Sequence, residues 1–127
     1  MIILTDRNWE YLNDMNDSVN HKIKYMSDEE QYGKQEHWTY PNDGKGDCED
    51  YALLKRRRLE LAGFDSEDLR MATCWTENGG YHAVLVVITD CGDLVLDNRY
   101  DEILSWEQLP YKWDKMQDEH REWRKIV

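Results

Sequence analysis

A chain of 127 residues, 40% of them hydrophobic, is long enough for one domain with a single core and cramped for two. Its formal charge of −11 argues against nucleic acid as a partner, because phosphate binding draws on Lys and Arg. No stretch approaches the ~20 apolar residues of a membrane span, and the opening MIILTDRNWE meets Asp6 and Arg7 far too soon for a secretion signal, so a cytoplasmic address is expected.

Residues 6 to about 24 place Trp9, Leu12, Met15 or Asn16, Val19 and Ile23 at steps of three and four, which predicts a helix capped by Thr5 or Asp6. Residues 27 to 47, rich in Gly, Asp, Asn and Pro with aromatics at Tyr32, Trp38 and Tyr40, read as a long structured loop. A second helix is predicted from 48 or 49 to about 62, with Asp47 at the cap, Ala52, Leu53, Leu59 and Ala62 facing inward, and Gly63 stopping it. The run Lys55 to Arg58 within it reads as a solvated basic face.

The period then changes to two. Residues 69–76, 82–89 and 93–97 predict three strands joined by the turns ENGG and DCGD, hence antiparallel neighbours. The tail fits a strand at 110–117 followed by an irregular or helical end. These elements make an α+β domain of N-terminal helices packed on a small antiparallel sheet, spanning 1–127 without internal repeats or linkers.

Three cysteines, at 48, 74 and 91, form no CxxC pair, so neither a disulfide framework nor a zinc knuckle is suggested. Cys48 opens a predicted helix, where backbone N–H groups favour a thiolate. A thiol nucleophile needs a base, and the base needs a third group to fix its tautomer. His82 opens one strand of a hairpin and Asp97 closes the other. A turn near Gly92 pairs positions whose numbers have a nearly constant sum, which brings 82 and 97 close to one another within about two residues. Each residue alone has a plainer reading: a structural histidine, a turn-forming aspartate.

The segment GDCEDYALLK…LAGF…LR followed by HAVLVV and VLDN, with VN..I.Y.SD…YG..E.W.YP upstream and an echo in LPYKWDKMQ…EWRKI, resembles the bacterial transglutaminase-like cysteine proteinases, a family that includes periplasmic proteases which clip large adhesins from the cell surface. The resemblance implies a papain-like fold with Cys48 as nucleophile, His82 as base and Asp97 as orienting acid, acting on a polypeptide. Unlike most members, this sequence begins without an export signal, so the periplasmic address is not carried over.

Asp47 and Glu49 bracket the thiol with negative charge. They either cap backbone N–H groups or bind a hard cation. In the adhesin-cleaving relatives the DCE acids ligate calcium, and the resemblance carries that role to Asp47 and Glu49; Asp43 and Asp50 are further acids without motif support. Asn42 is a candidate oxyanion-hole donor as well as an ordinary turn former. Trp75 and Tyr81 flank His82 as core aromatics or cleft walls. Cys74, Cys91, His21, His37 and His120 are assigned no chemistry. The leading reading is a thiol hydrolase acting on amide bonds, most simply a peptidase, with deamidase and transglutaminase sharing every step but the acceptor. Its rival is a non-catalytic binding or structural protein, such as a phage or mobile-element component, that keeps the fold.

Overall fold

A computed structural model describes residues 1–33 and 45–126, with side chains for 1–21 and 48–126. Among the described residues the chain forms helix α1 (Asp6–Gly33), helix α2 (Lys45–Leu61), and strands β1 (Leu69–Trp75), β2 (Tyr81–Thr89), β3 (Gly92–Leu96), β4 (Leu104–Ser105), β5 (Lys112–Gln117) and β6 (Trp123–Lys125). The strands pair antiparallel in one sheet of order β4-β3-β2-β1-β5-β6. Of the described helices, none is long and apolar enough to cross a membrane.

Thr5 caps α1, its Oγ1 accepting the Asn8 N–H at 3.1 Å. The helix buries Leu12 and Val19 as expected and both Met15 and Asn16, which were alternatives for one position; it also buries Asn20 and leaves Trp9 40% exposed. It continues to Gly33 instead of ending near 24, taking in the first part of the expected loop. Residues 25–32 (YMSDEEQY) explain this, since they contain neither proline nor glycine and supply Met, Glu and Gln.

Helix α2 begins at Lys45, upstream of the expected start, so Asp47 lies within the first turn and is not the cap. Its inward face is Cys48, Tyr51, Ala52, Lys55 and Leu59, at steps of three and four. Leu53 and Ala62 point outward, contrary to expectation, and Lys55 is fully buried, so the basic run is not a uniformly solvated face. The helix ends in a Schellman arrangement: Gly63 has φ +102°, the Phe64 N–H donates to Leu59 C=O at 3.0 Å, and the Gly63 N–H to Glu60 C=O at 3.1 Å.

β2 is buried on both faces. One face packs with the helices through Ala83, Leu85 and Val87 against Leu12, Val19, Ala52 and Leu59. The other joins Val84 and Val86 to Ala72, Cys74, Val95, Leu109 and Tyr111. The tail makes this second layer possible. After β4 it leaves one side of the sheet and pairs with β1 on the other, as β5, placing Leu109 and Tyr111 in that layer on the way. The expected tail strand is therefore present, and the end of the chain is a short strand pairing Gln117 with Trp123.

Candidate active site

The β2–β3 hairpin pairs Thr89 with Gly92 at the turn and Leu85 with Leu96 at its far end. One step further, Asp97 stands opposite Val84 and on the same sheet face as His82. The two side chains meet: His82 Nε2 lies 2.7 Å from Asp97 Oδ1. Asp97 is 1% exposed and both oxygens of its carboxylate are hydrogen-bonded, Oδ1 also accepting the Arg99 N–H at 3.0 Å while Oδ2 accepts the Tyr111 hydroxyl. Burial pushes its pKa up, but the His82 hydrogen bond and charge, with Tyr111 and the Arg99 N–H, outweigh that and hold it below the ordinary carboxylate range.

β3 pairs with β2 only from Leu85 onward, which leaves the first residues of β2 without a strand on that side. Cys48 fills this position from α2, and its Sγ accepts the Ala83 N–H at 3.3 Å. Cys48 is also among the groups that act on the His82 ring, whose Nε2 is taken by Asp97. Burial alone would lower the His82 pKa, yet the hydrogen bonds and charges of Asp97 and Cys48 raise it to about 9. An imidazolium between a sulfur and a buried carboxylate is thus the favoured charge state near neutral pH.

Cys74 makes an instructive contrast. It pairs with His82 across the β1–β2 ladder and is fully buried, but burial, followed by the charge of Asp97, pushes its thiol up to about 12, so it stays protonated and inert. Cys91 is exposed in the β2–β3 turn. His21 and His120 are exposed, and His37 lies outside the described residues.

Sequence reasoning missed the groups behind the carboxylate. Tyr111 is ringed by His82, whose ring centroid is 5.5 Å away, and by Arg99, whose guanidinium donates to the Tyr111 oxygen at 3.2 Å and to Glu77 at 2.8 Å through each terminal nitrogen. Asn20 Nδ2 donates to the carbonyls of Asp97 (3.1 Å) and Tyr100 (3.3 Å), and Asn16 Nδ2 to that of Asp101 (3.1 Å), tying the 97–101 loop to α1. The one available sequence signal for Tyr111 was the LPYKWD segment.

Asn42 and Asp43 lie outside the described residues, as does the Asp47 side chain; Glu49 is half-buried on α2 and Asp50 exposed. Trp75 and Tyr81 pack on each other at 4.6 Å between ring centroids, with the Tyr81 hydroxyl bonded to Thr73 and Asp114. Among the described residues, the side chains close enough to share an ion are Asp17, His21 and Asp101, all exposed, and an imidazole in that set suits calcium poorly. An apolar cavity of about 190 Å³ beneath Trp106, Trp113 and Met116 has none of Cys48, His82 or Asp97 in its lining.

Over residues 1–127 the chain matches the family described as bacterial transglutaminase-like cysteine proteinase BTLCP. The chain belongs to that family. Two solved structures of LapG from Legionella pneumophila share its fold: the calcium-bound form at 25% identity and a TM-score of 0.50, and a second at 27% identity and 0.51, each match covering 56% of this chain and 41% of LapG. An EGTA-treated LapG is similar at 27% identity and a TM-score of 0.50, covering 54% and 39%. The matched region is thus well under half of LapG. No curated protein matches the chain. Family and fold likeness together bear out the α+β, transglutaminase-like reading of a proteinase whose class acts on polypeptides.

Proposed function

We propose that the chain is a cysteine peptidase in which Cys48 is the nucleophile, His82 the acid and base, and Asp97 the group that orients and charges the imidazole. The observation that carries this reading is the 2.7 Å contact between His82 Nε2 and a buried Asp97, with the Cys48 sulfur accepting the N–H of the next residue, Ala83, at 3.3 Å. Cys48 Sγ, its proton held by His82, adds to the scissile carbonyl carbon; collapse expels the amine, which takes that proton, and leaves a thioester. His82 then removes a proton from water, whose oxygen displaces the sulfur, releasing the acid and restoring the thiolate–imidazolium pair.

Calcium at Asp47 and Glu49 belongs to the same proposal. Two carboxylates flanking a sulfur offer hard oxygen donors, and the calcium-bound state of LapG supports the assignment. The ion would offset the negative charge beside Cys48 and stiffen the start of α2. A single domain over 1–127 completes the proposal.

Comparing terminal peptides released from a proteome by wild type and by Cys48→Ala tests the activity. New N-termini should appear with wild type alone; identical profiles would remove the peptidase reading, and release of ammonia or formation of crosslinks without new termini would replace it with deamidation or transglutamination.

A further inference from the structure

Asp97 is held by three donors, and two of them trace back to one residue. The Arg99 backbone N–H donates to Oδ1 at 3.0 Å, the same oxygen that faces His82 Nε2, while the Tyr111 hydroxyl donates to Oδ2. The Arg99 side chain then returns to that hydroxyl, Nη1 donating to the Tyr111 oxygen at 3.2 Å. A phenol has one proton to give. With it spent on Asp97, the oxygen accepts on its other side, and a guanidinium there strengthens the donation. Burial, followed by the hydrogen bond and charge of Asp97, pushes the Tyr111 pKa up, so the phenol stays a donor across the neutral range.

Arg99 is itself placed from the surface. It is exposed, and its two terminal nitrogens each donate to one oxygen of the exposed Glu77 at 2.8 Å, the bidentate form that fixes a guanidinium plane. Glu77 belongs to the 76–80 turn, closed by the Thr76 N–H donating to Gly80 C=O at 2.8 Å, and that turn leads directly into β2 and His82. The contacts therefore close a ring: Glu77, Arg99, Tyr111, Asp97, His82, and back along the chain to Glu77. It joins the β1–β2 turn, the segment after β3 and the segment before β5 at one carboxylate.

An isolated surface ion pair contributes little to stability, because water and salt compete with it. Its place in this ring gives it another use. A carboxylate can turn about its Cβ–Cγ bond, a broad torsion, and present either oxygen to an imidazole. Here the phenol occupies Oδ2 and the Arg99 N–H occupies Oδ1, so one orientation satisfies every donor.

We infer that Tyr111 is a positioning residue for Asp97 and that the exposed Arg99–Glu77 fork holds it there, so that a surface ion pair sets which carboxylate oxygen meets His82. The catalytic consequence rests on the proposed roles of Cys48, His82 and Asp97; the orientation of the carboxylate does not.

Two variants of the full chain test it. Tyr111→Phe keeps the ring and removes the hydroxyl, whereas Glu77→Ala removes the fork from an exposed turn. Nitrogen NMR of the histidine rings, with His82 assigned by its loss in His82→Gln, should show the His82 Nε2 shift displaced in Tyr111→Phe and displaced less, in the same direction, in Glu77→Ala. Glu77→Gln, which keeps an acceptor for Arg99, should fall between Glu77→Ala and wild type. In peptide cleavage kcat should drop about tenfold in Tyr111→Phe and about threefold in Glu77→Ala with KM little changed. An unchanged Nε2 shift in folded Tyr111→Phe would overturn the positioning role, and an unchanged one in Glu77→Ala would overturn the part given to the fork. Displaced shifts with the wild-type kcat would overturn the catalytic consequence and leave the orientation standing. Should Tyr111→Phe fail to fold, Glu77→Ala decides by the same shift. Wild type without cleavage would instead remove the peptidase reading, and the NMR result would then decide the orientation alone.

Discussion

Tyr111 bears directly on the Asp97 carboxylate without being a reacting group. Tyr111→Phe leaves one oxygen of a buried Asp97 without its donor, so chemical denaturation should report a loss of about 1–3 kcal/mol. His82, raised to about 9, must be an imidazolium to protonate a leaving amine; kcat/KM should therefore fall as pH rises through about 9. In Asp97→Asn that limb should move down toward the ordinary 6.5, measurable with any cleaved peptide. The meeting of His82 and Asp97 was legible in the sequence because hairpin register sets them near one another. Lys55 and Asn20 were not, because a polar side chain at helical spacing reads as solvated unless something reveals what it faces, whereas Asn16 was one of two candidates for its inward position. Lys55 was further hidden as the first letter of a basic run whose other members are at least partly exposed.

At the level of elements, α2 carries the thiol and its end must be fixed for Cys48 to meet β2. Gly63 closes that helix at φ +102°, where a side chain is strained although nothing lies within 4 Å of an added Cβ. Gly63→Ala should cost about 1 kcal/mol, read from the denaturation midpoint, without changing the site's chemistry. Leu59, fully buried one turn earlier and part of the same cap, should cost about 2–5 kcal/mol as Leu59→Ala. The three central strands and their turns were readable from alternation and glycine placement. What the sequence withheld was the return of the tail: β5 joins β1 rather than extending beyond β3, a non-local pairing that alternation cannot specify, and it is this crossing that brings Tyr111 to Asp97. Helix starts were misjudged for a simpler reason, since Asp47 is a good cap by type but a helix can begin before it.

The whole molecule binds two buried titrating groups with opposite effects on stability. The raised pKa of His82 stabilises the fold fully below its unfolded value near 6.5, and that contribution is lost as pH rises through about 9. Lys55, lowered to about 7 from 10.5, has the reverse sign: its penalty is complete below 7 and is relieved between 7 and 10.5. Melting curves of Lys55→Met should therefore show their largest gain over wild type below pH 7, shrinking toward pH 10. With a charge of −11 on the chain, calcium should also raise the melting temperature of wild type and do so less in Glu49→Gln. The most direct measurement on the thiol–imidazole–carboxylate site is mass-spectrometric rate determination of iodoacetamide labelling in the native protein. Cys48 is expected to react at least about tenfold faster than Cys74 and Cys91, with the preference over Cys91 lost in His82→Ala. Equal labelling of Cys48 and Cys91 in wild type, or a Cys48 rate indifferent to His82, would contradict a catalytic thiol at this position.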